Sequence, residues 1–131
     1  MNTKLNKILA EISAGELLDK ITILEIKKEK IKNKEKLIDI DKELKSLNNT
    51  SNENIPDKSK VLDLIYNLKK INLKLWDIEE NKRLAEKKQK FDKNFIKLSR
   101  DVYKTNDERA KIKLKINEIL GSNIKEVKSH Y

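Results

Sequence analysis

Apolar side chains recur at helical spacing from Phe91 onward: Phe91, Phe95, Leu98 and Val102 step by four, three and four and share one stripe of an α-helix. Carried on without a break, the stripe runs into Asn106, Arg109, Lys113 and Asn117, so a face that begins apolar turns polar halfway along. An unpaired guanidinium is costly to bury, so Arg109 at such a position predicts a carboxylate, a ligand or a water-filled cleft opposite it. A second reading stands beside the first. Thr105 followed by Glu108 fits a capping box, which would start a new helix at Asn106, make Ile112, Ile116 and Ile119 the seam, and move Lys113 to its flank. On either reading, 91–121 is the expected centre of the molecule.

The same spacing organises the rest of the chain. Ser13 with Glu16 forms an S-x-x-E capping box, opening a helix over 13–48 whose seam is Leu17, Ile21, Leu24 and Ile31, then Leu37, Ile40, Leu44 and Leu47 in a shifted phase. The phase shift predicts a kink near residue 33. The run NNTSNENIPDK predicts a loop over 49–58. A second helix over 59–89 carries Val61, Leu64, Leu68, Ile71, Leu75 and Ile78, with Glu79, Lys82 and Glu86 continuing its stripe and Trp76 beside it, read as closing the edge of the core in preference to stacking on a ligand. A third follows over 92–120, with Asp92 as N-cap, Gly121 as its C-terminal stop and a tail over 121–131. The expected fold is all-α: one domain, a long antiparallel helical hairpin or three-helix bundle. Its narrow stripes would be better covered in a homodimer.

Composition narrows the chemistry. The 131 residues include no cysteine and one histidine, His130, so disulfides, thiolate metal sites and histidine chemistry fall away, and no cofactor or metal is expected. There is no P-loop, no dinucleotide-binding glycine motif and no nucleophile set beside a base. No run approaches the roughly 20 apolar residues of a membrane span, and no signal-type apolar core precedes the helices, so a cytoplasmic location is expected. The net charge of +9 comes almost wholly from lysines spread along the helices, which favours solvated faces over nucleic-acid binding. Arg83, Arg100 and Arg109, the three arginines, stand out because a guanidinium grips carboxylate or phosphate with two bonds.

The candidate site gathers Glu79 on the second helix, Arg109, Lys113 and Asn117 on the third, Arg100 and Tyr103 one turn apart, and Glu16, Asp19 and Lys20 at the start of the first. Charges of both signs in a partly dry cleft could bind an anion or orient a substrate. Alternatively, Glu79 pairs with Arg109 or Lys20 only to fix helix register.

Three blocks, ISAGELLDKITILEIK, LWDIEE and FIKLSRDVYKTNDERAKIKLKIN, resemble a family of short all-helical bacterial and phage proteins of unknown function. The resemblance picks out Ser13, Gly15, Glu16, Asp19, Lys20, Thr22, Glu25, Trp76, Glu79, Arg100, Tyr103, Asn106, Asp107, Arg109, Lys113 and Asn117, with a departure at Ser99, where the family has alanine. Members of that family lie near glycosyltransferase and surface-polysaccharide genes. The implied function is a binding or accessory module whose polar cleft takes an anionic ligand, a sugar phosphate or nucleotide-sugar, or a partner protein in surface-glycan assembly. Two alternatives are carried with it: a small helical enzyme that clamps carboxylates with Arg and Lys, in the style of chorismate mutase, and a lysine-rich nucleic-acid binder.

Overall fold

The structure is a computed structural model and describes residues 3–127. All regular structure among them is helical: α1 (Ala14–Lys30), α2 (Lys34–Asn54), α3 (Leu62–Lys87), entered through a 3-10 turn at Ser59–Val61, and α4 (Lys93–Leu120). The calls on His130 and on the tail beyond 127 lie outside the described residues.

α1 is the hub, touching each of the other three helices. Leu17, Leu18, Ile21, Leu24 and Ile26 are buried, and so are Gly15, Asp19 and Thr22, so the helix is covered around most of its circumference. This displaces 91–121 from the centre it was expected to hold. α4 buries one face only, against α1 and α3, and leaves Ile96, Tyr103 and Leu114 outside. The shared core is Leu17, Leu18 and Ile21 from α1 with Ile55, Val61, Leu68 and Ile116.

The helix expected over 13–48 is two helices, not one kinked rod. Lys27, Lys28 and Lys30 suit the negative end of α1, Ile31 leaves the helical region (φ −87°, ψ 133°), and the Asn33 side chain accepts from the Lys36 backbone N–H at 3.0 Å to start α2. The loop expected over 49–58 is also corrected, because α2 runs on to Asn54. Its seam of Leu44 and Leu47 continues at steps of four through Ser51 and Ile55, both buried. Thr50 and Asn54, turn formers elsewhere, donate to helical carbonyls of Ser46 and Thr50. Pro56 then forces Ile55 out of the helix (φ −128°) and leaves a connection of only 55–58 before the 3-10 turn.

α3 and α4 are joined by a tight turn in which Gln89 takes the left-handed conformation (φ 54°), with Lys90 N–H donating to Ala85 O and Gln89 N–H to Glu86 O. α4 passes through residue 105 unbroken, which overturns the capping-box reading there. Thr105 is buried in the helix interface, and Lys113 keeps the inward position that the continuous stripe gives it. Gly121 (φ 65°) ends α4, with Ser122 N–H donating to Asn117 O at 2.8 Å.

Candidate functional site: a buried carboxylate and the cleft above it

Asp19, in the second turn of α1, is fully buried at 0% exposure and joins three helices. Its Oδ1 accepts from Arg109 Nε and from Asn72 Nδ2, both at 2.9 Å, and its Oδ2 accepts from Arg109 Nη2 at 2.5 Å. The guanidinium fork from α4 thus meets the carboxylate in two parallel bonds, the strongest geometry open to such a pair. Asn72 of α3 also donates to Thr22 Oγ1 at 2.9 Å, and Thr22 donates to the Asp19 carbonyl at 2.7 Å. Arg109 Nη1 reaches Asn106 Oδ1 at 3.3 Å.

Toward the start of α1 a second cluster closes the α1–α4 contact. Lys113 donates to Glu16 at 2.5 Å and to Glu126 at 3.2 Å, and Lys20 pairs with Glu16 at 3.4 Å. Ser13 Oγ accepts from the Glu16 backbone N–H and donates to Glu126, each at 3.0 Å. Only half of the capping box forms in this way, because the Glu16 carboxylate turns to the two lysines. The next free donors of the helix go to the end of α4: Ala14 N–H to Ser122 Oγ at 3.1 Å, and Gly15 N–H to Asn117 Oδ1 at 2.6 Å. Gly15 is required by this approach, since a Cβ there would lie 2.5 Å from the Lys113 carbonyl oxygen. Asn117 Nδ2 is buried without a protein partner.

Electrostatics follow the pairing. The bonds to Asp19 hold the Arg109 pKa above its ordinary value against the opposing effect of burial. Burial works against the charge on Glu16 and on Lys113, yet their mutual contact, with help from Lys20 and Glu126 respectively, outweighs it and stabilises both charged forms. Every cation in the network therefore already has its carboxylate.

Above Arg109 opens a cleft of about 510 Å³ between α1 and α3, walled by Ile23, Ile26, Leu75 and Trp76 and rimmed by Glu79, Glu80 and Arg83. Trp76 and Glu80 also line a second hollow together with Lys30 and Leu84. Trp76 is thus a wall of the cleft and not only the edge of a core. Among the described residues no group of His, Cys, Asp or Glu is placed to hold a metal ion.

Of the expected site residues, Glu16, Asp19, Lys20, Asn106, Arg109, Lys113 and Asn117 come together, and Asp107 is half-buried on α4 beside them. Three do not join. Glu79 pairs with neither Arg109 nor Lys20. It shares the Asn72 face of α3 but stands two turns further along, where that face opens into the cleft, and it is exposed at the rim. Arg100 stands nine residues from Arg109, half a turn round the helix, and is exposed; Tyr103 is 53% exposed. Asn72, Arg83 and Glu126 were missed. Asn72 stands four residues after Leu68 and three before Leu75, and Arg83 stands seven after Trp76 and four after Glu79, so their spacing could have found them. Glu126 lies beyond any periodic element and gave no such signal.

These features define a class: a small all-helical protein, with four α-helices among the described residues, built on a neutralised, buried ion network with an apolar cleft over it. The chain belongs to a family of unknown function, DUF6165, whose model matches residues 8–131. No curated protein and no solved structure matches it.

Proposed function

We propose that the protein is a helical binding module and that its ligand enters the α1–α3 cleft. The ligand would carry a ring and a single anionic group, of which a sugar phosphate is the simplest example. The observation that carries this is the convergence of Trp76 and the Arg83 side chain on one mostly apolar cleft of ligand size. Arg109 and Lys113 are matched by Asp19, Glu16 and Glu126, which argues against a clamp for anions at the buried network and against carboxylate-clamping catalysis there. At the rim one arginine faces two carboxylates, Glu79 and Glu80, a balance that disfavours polyanions and suits hydroxyl groups. An indole face stacks on the apolar side of a ring, and a guanidinium holds a phosphate with two bonds. A role in surface-glycan assembly would be consistent with such a ligand.

The test is a thermal-shift panel of sugar monophosphates, nucleotide-sugars and inorganic phosphate. A ring-bearing ligand at 100 times its dissociation constant should add about 2.7 kcal/mol, whereas inorganic phosphate should add nothing measurable. Trp76→Leu and Arg83→Ala should each cut the shift by about half or more, as a tenfold loss of affinity would, and Arg100→Ala should keep it. A shift equal for inorganic phosphate, or one undiminished in both cleft variants, would contradict the proposal.

A further inference from the structure

Ahead of α1, residues 3–12 have no regular secondary structure, although nothing in TKLNKILAEI opposes a helix. Wound as one, Leu5, Ile8, Leu9 and Ile12 fall at i, i+3, i+4 and i+7 on a single stripe, with Lys4 on its flank and Glu11 and Lys7 beyond it. In the structure that stripe is uncovered: Leu5, Ile8 and Leu9 are 82%, 83% and 88% exposed. Asn123 Nδ2 holds Glu11 at 2.6 Å, so the root of the segment is tethered to the end of α4 while the rest extends away. A helix this short is marginal in water and needs a surface to lie on.

We infer that this segment is an in-plane anchor for an anionic lipid surface, forming its helix as the stripe enters the headgroup boundary. The chemistry selects that occupant. The stripe is wholly aliphatic and the segment carries two lysines against one glutamate, the pairing of features that lets a helix lie in an anionic interface. A second copy of the chain is disfavoured by the net charge of +9 on each molecule. No helix among the described residues is long and apolar enough to cross a membrane, so attachment would be peripheral.

Flotation of the full chain with vesicles tests this. The chain should float with phosphatidylcholine–phosphatidylglycerol vesicles, stay behind with phosphatidylcholine alone, and be released by raised salt. Leu5→Ser/Ile8→Ser/Leu9→Ser, at positions too exposed to support the fold, should abolish flotation with the melting temperature unchanged. Lys4→Gln/Lys7→Gln should weaken it about 30-fold, from roughly 1 kcal/mol per lysine at an anionic surface. Absence of anionic-vesicle binding, or binding that the serine variant keeps, would overturn the inference. So would a dimer that the serine variant dissolves, which would assign the stripe to a second copy.

Discussion

Asp19 is the residue on which the interior depends, because a fully buried carboxylate is tolerated only when its acceptors are filled. Arg109→Met should cost about 3–5 kcal/mol in chemical denaturation, the penalty of leaving a buried charge without its partner. Arg109→Lys should recover only part of that loss, since an ammonium keeps the charge but not the fork. If the network serves stability alone, replacing Asp19, Asn72 and Arg109 together by Leu, Leu and Met should cost far less than Arg109→Met, as buried ionic clusters exchanged whole for apolar groups often do. Gly15→Ala opposes two effects. Alanine favours a helix by about 0.5–1 kcal/mol, but its Cβ would sit 2.5 Å from backbone that cannot swing aside. The clash should win, with a net loss of about 1–3 kcal/mol.

At the scale of elements, α1 and α4 are fastened at one end by Glu16, Lys113 and Glu126, and the fastening should titrate. The folded pKa of Glu16 is lowered from 4.5, so its contribution is present above that value and lost as pH falls through the folded value. The folded pKa of Lys113 is raised from 10.5, so its contribution is complete below 10.5 and lost as pH rises through the folded value. Stability against pH should therefore carry an acid limb that Glu16→Gln flattens, while Lys20→Gln, on the exposed partner, changes it little. The turn between α3 and α4 offers a change of opposite sign. Gln89→Gly should stabilise by up to about 1 kcal/mol, because the left-handed conformation strains a residue with a Cβ. The all-helical class was legible in the lysine, glutamate, leucine and isoleucine periodicity and in the near absence of glycine and proline. The helix ends were less so. Ser51 looks like a turn residue until Leu47 before it and Ile55 after it are seen to share its seam, and the break at 31–33 depends on Asn33 acting as a cap.

For the whole molecule, the continuous-helix reading of Arg109, Lys113 and Asn117 placed polar groups on an inward face, and the cost of burying Arg109 called for a carboxylate, a ligand or a water-filled cleft opposite it, of which the structure has the carboxylate. Which carboxylate was not legible. Glu79 continued the stripe of its helix whereas Asp19 lay off the Leu17, Ile21 and Leu24 seam, and only the packing of α1 at the centre decides that Asp19 goes in and Glu79 stays at the rim. On the function proposed above, the buried network is a frame and the cleft above it the place for a ligand. Trp76 is the single tryptophan of the chain and walls the cleft, so its fluorescence reports on that wall without a signal from any other indole. The most direct measurement is a fluorescence titration with a sugar monophosphate. A saturable change is expected, with affinity falling about 10-fold or more in Arg83→Gln, since a charge-assisted hydrogen bond is worth about 1.5–3 kcal/mol. Calorimetric binding that leaves Trp76 emission unchanged, or that keeps full affinity in Arg83→Gln, would contradict the account.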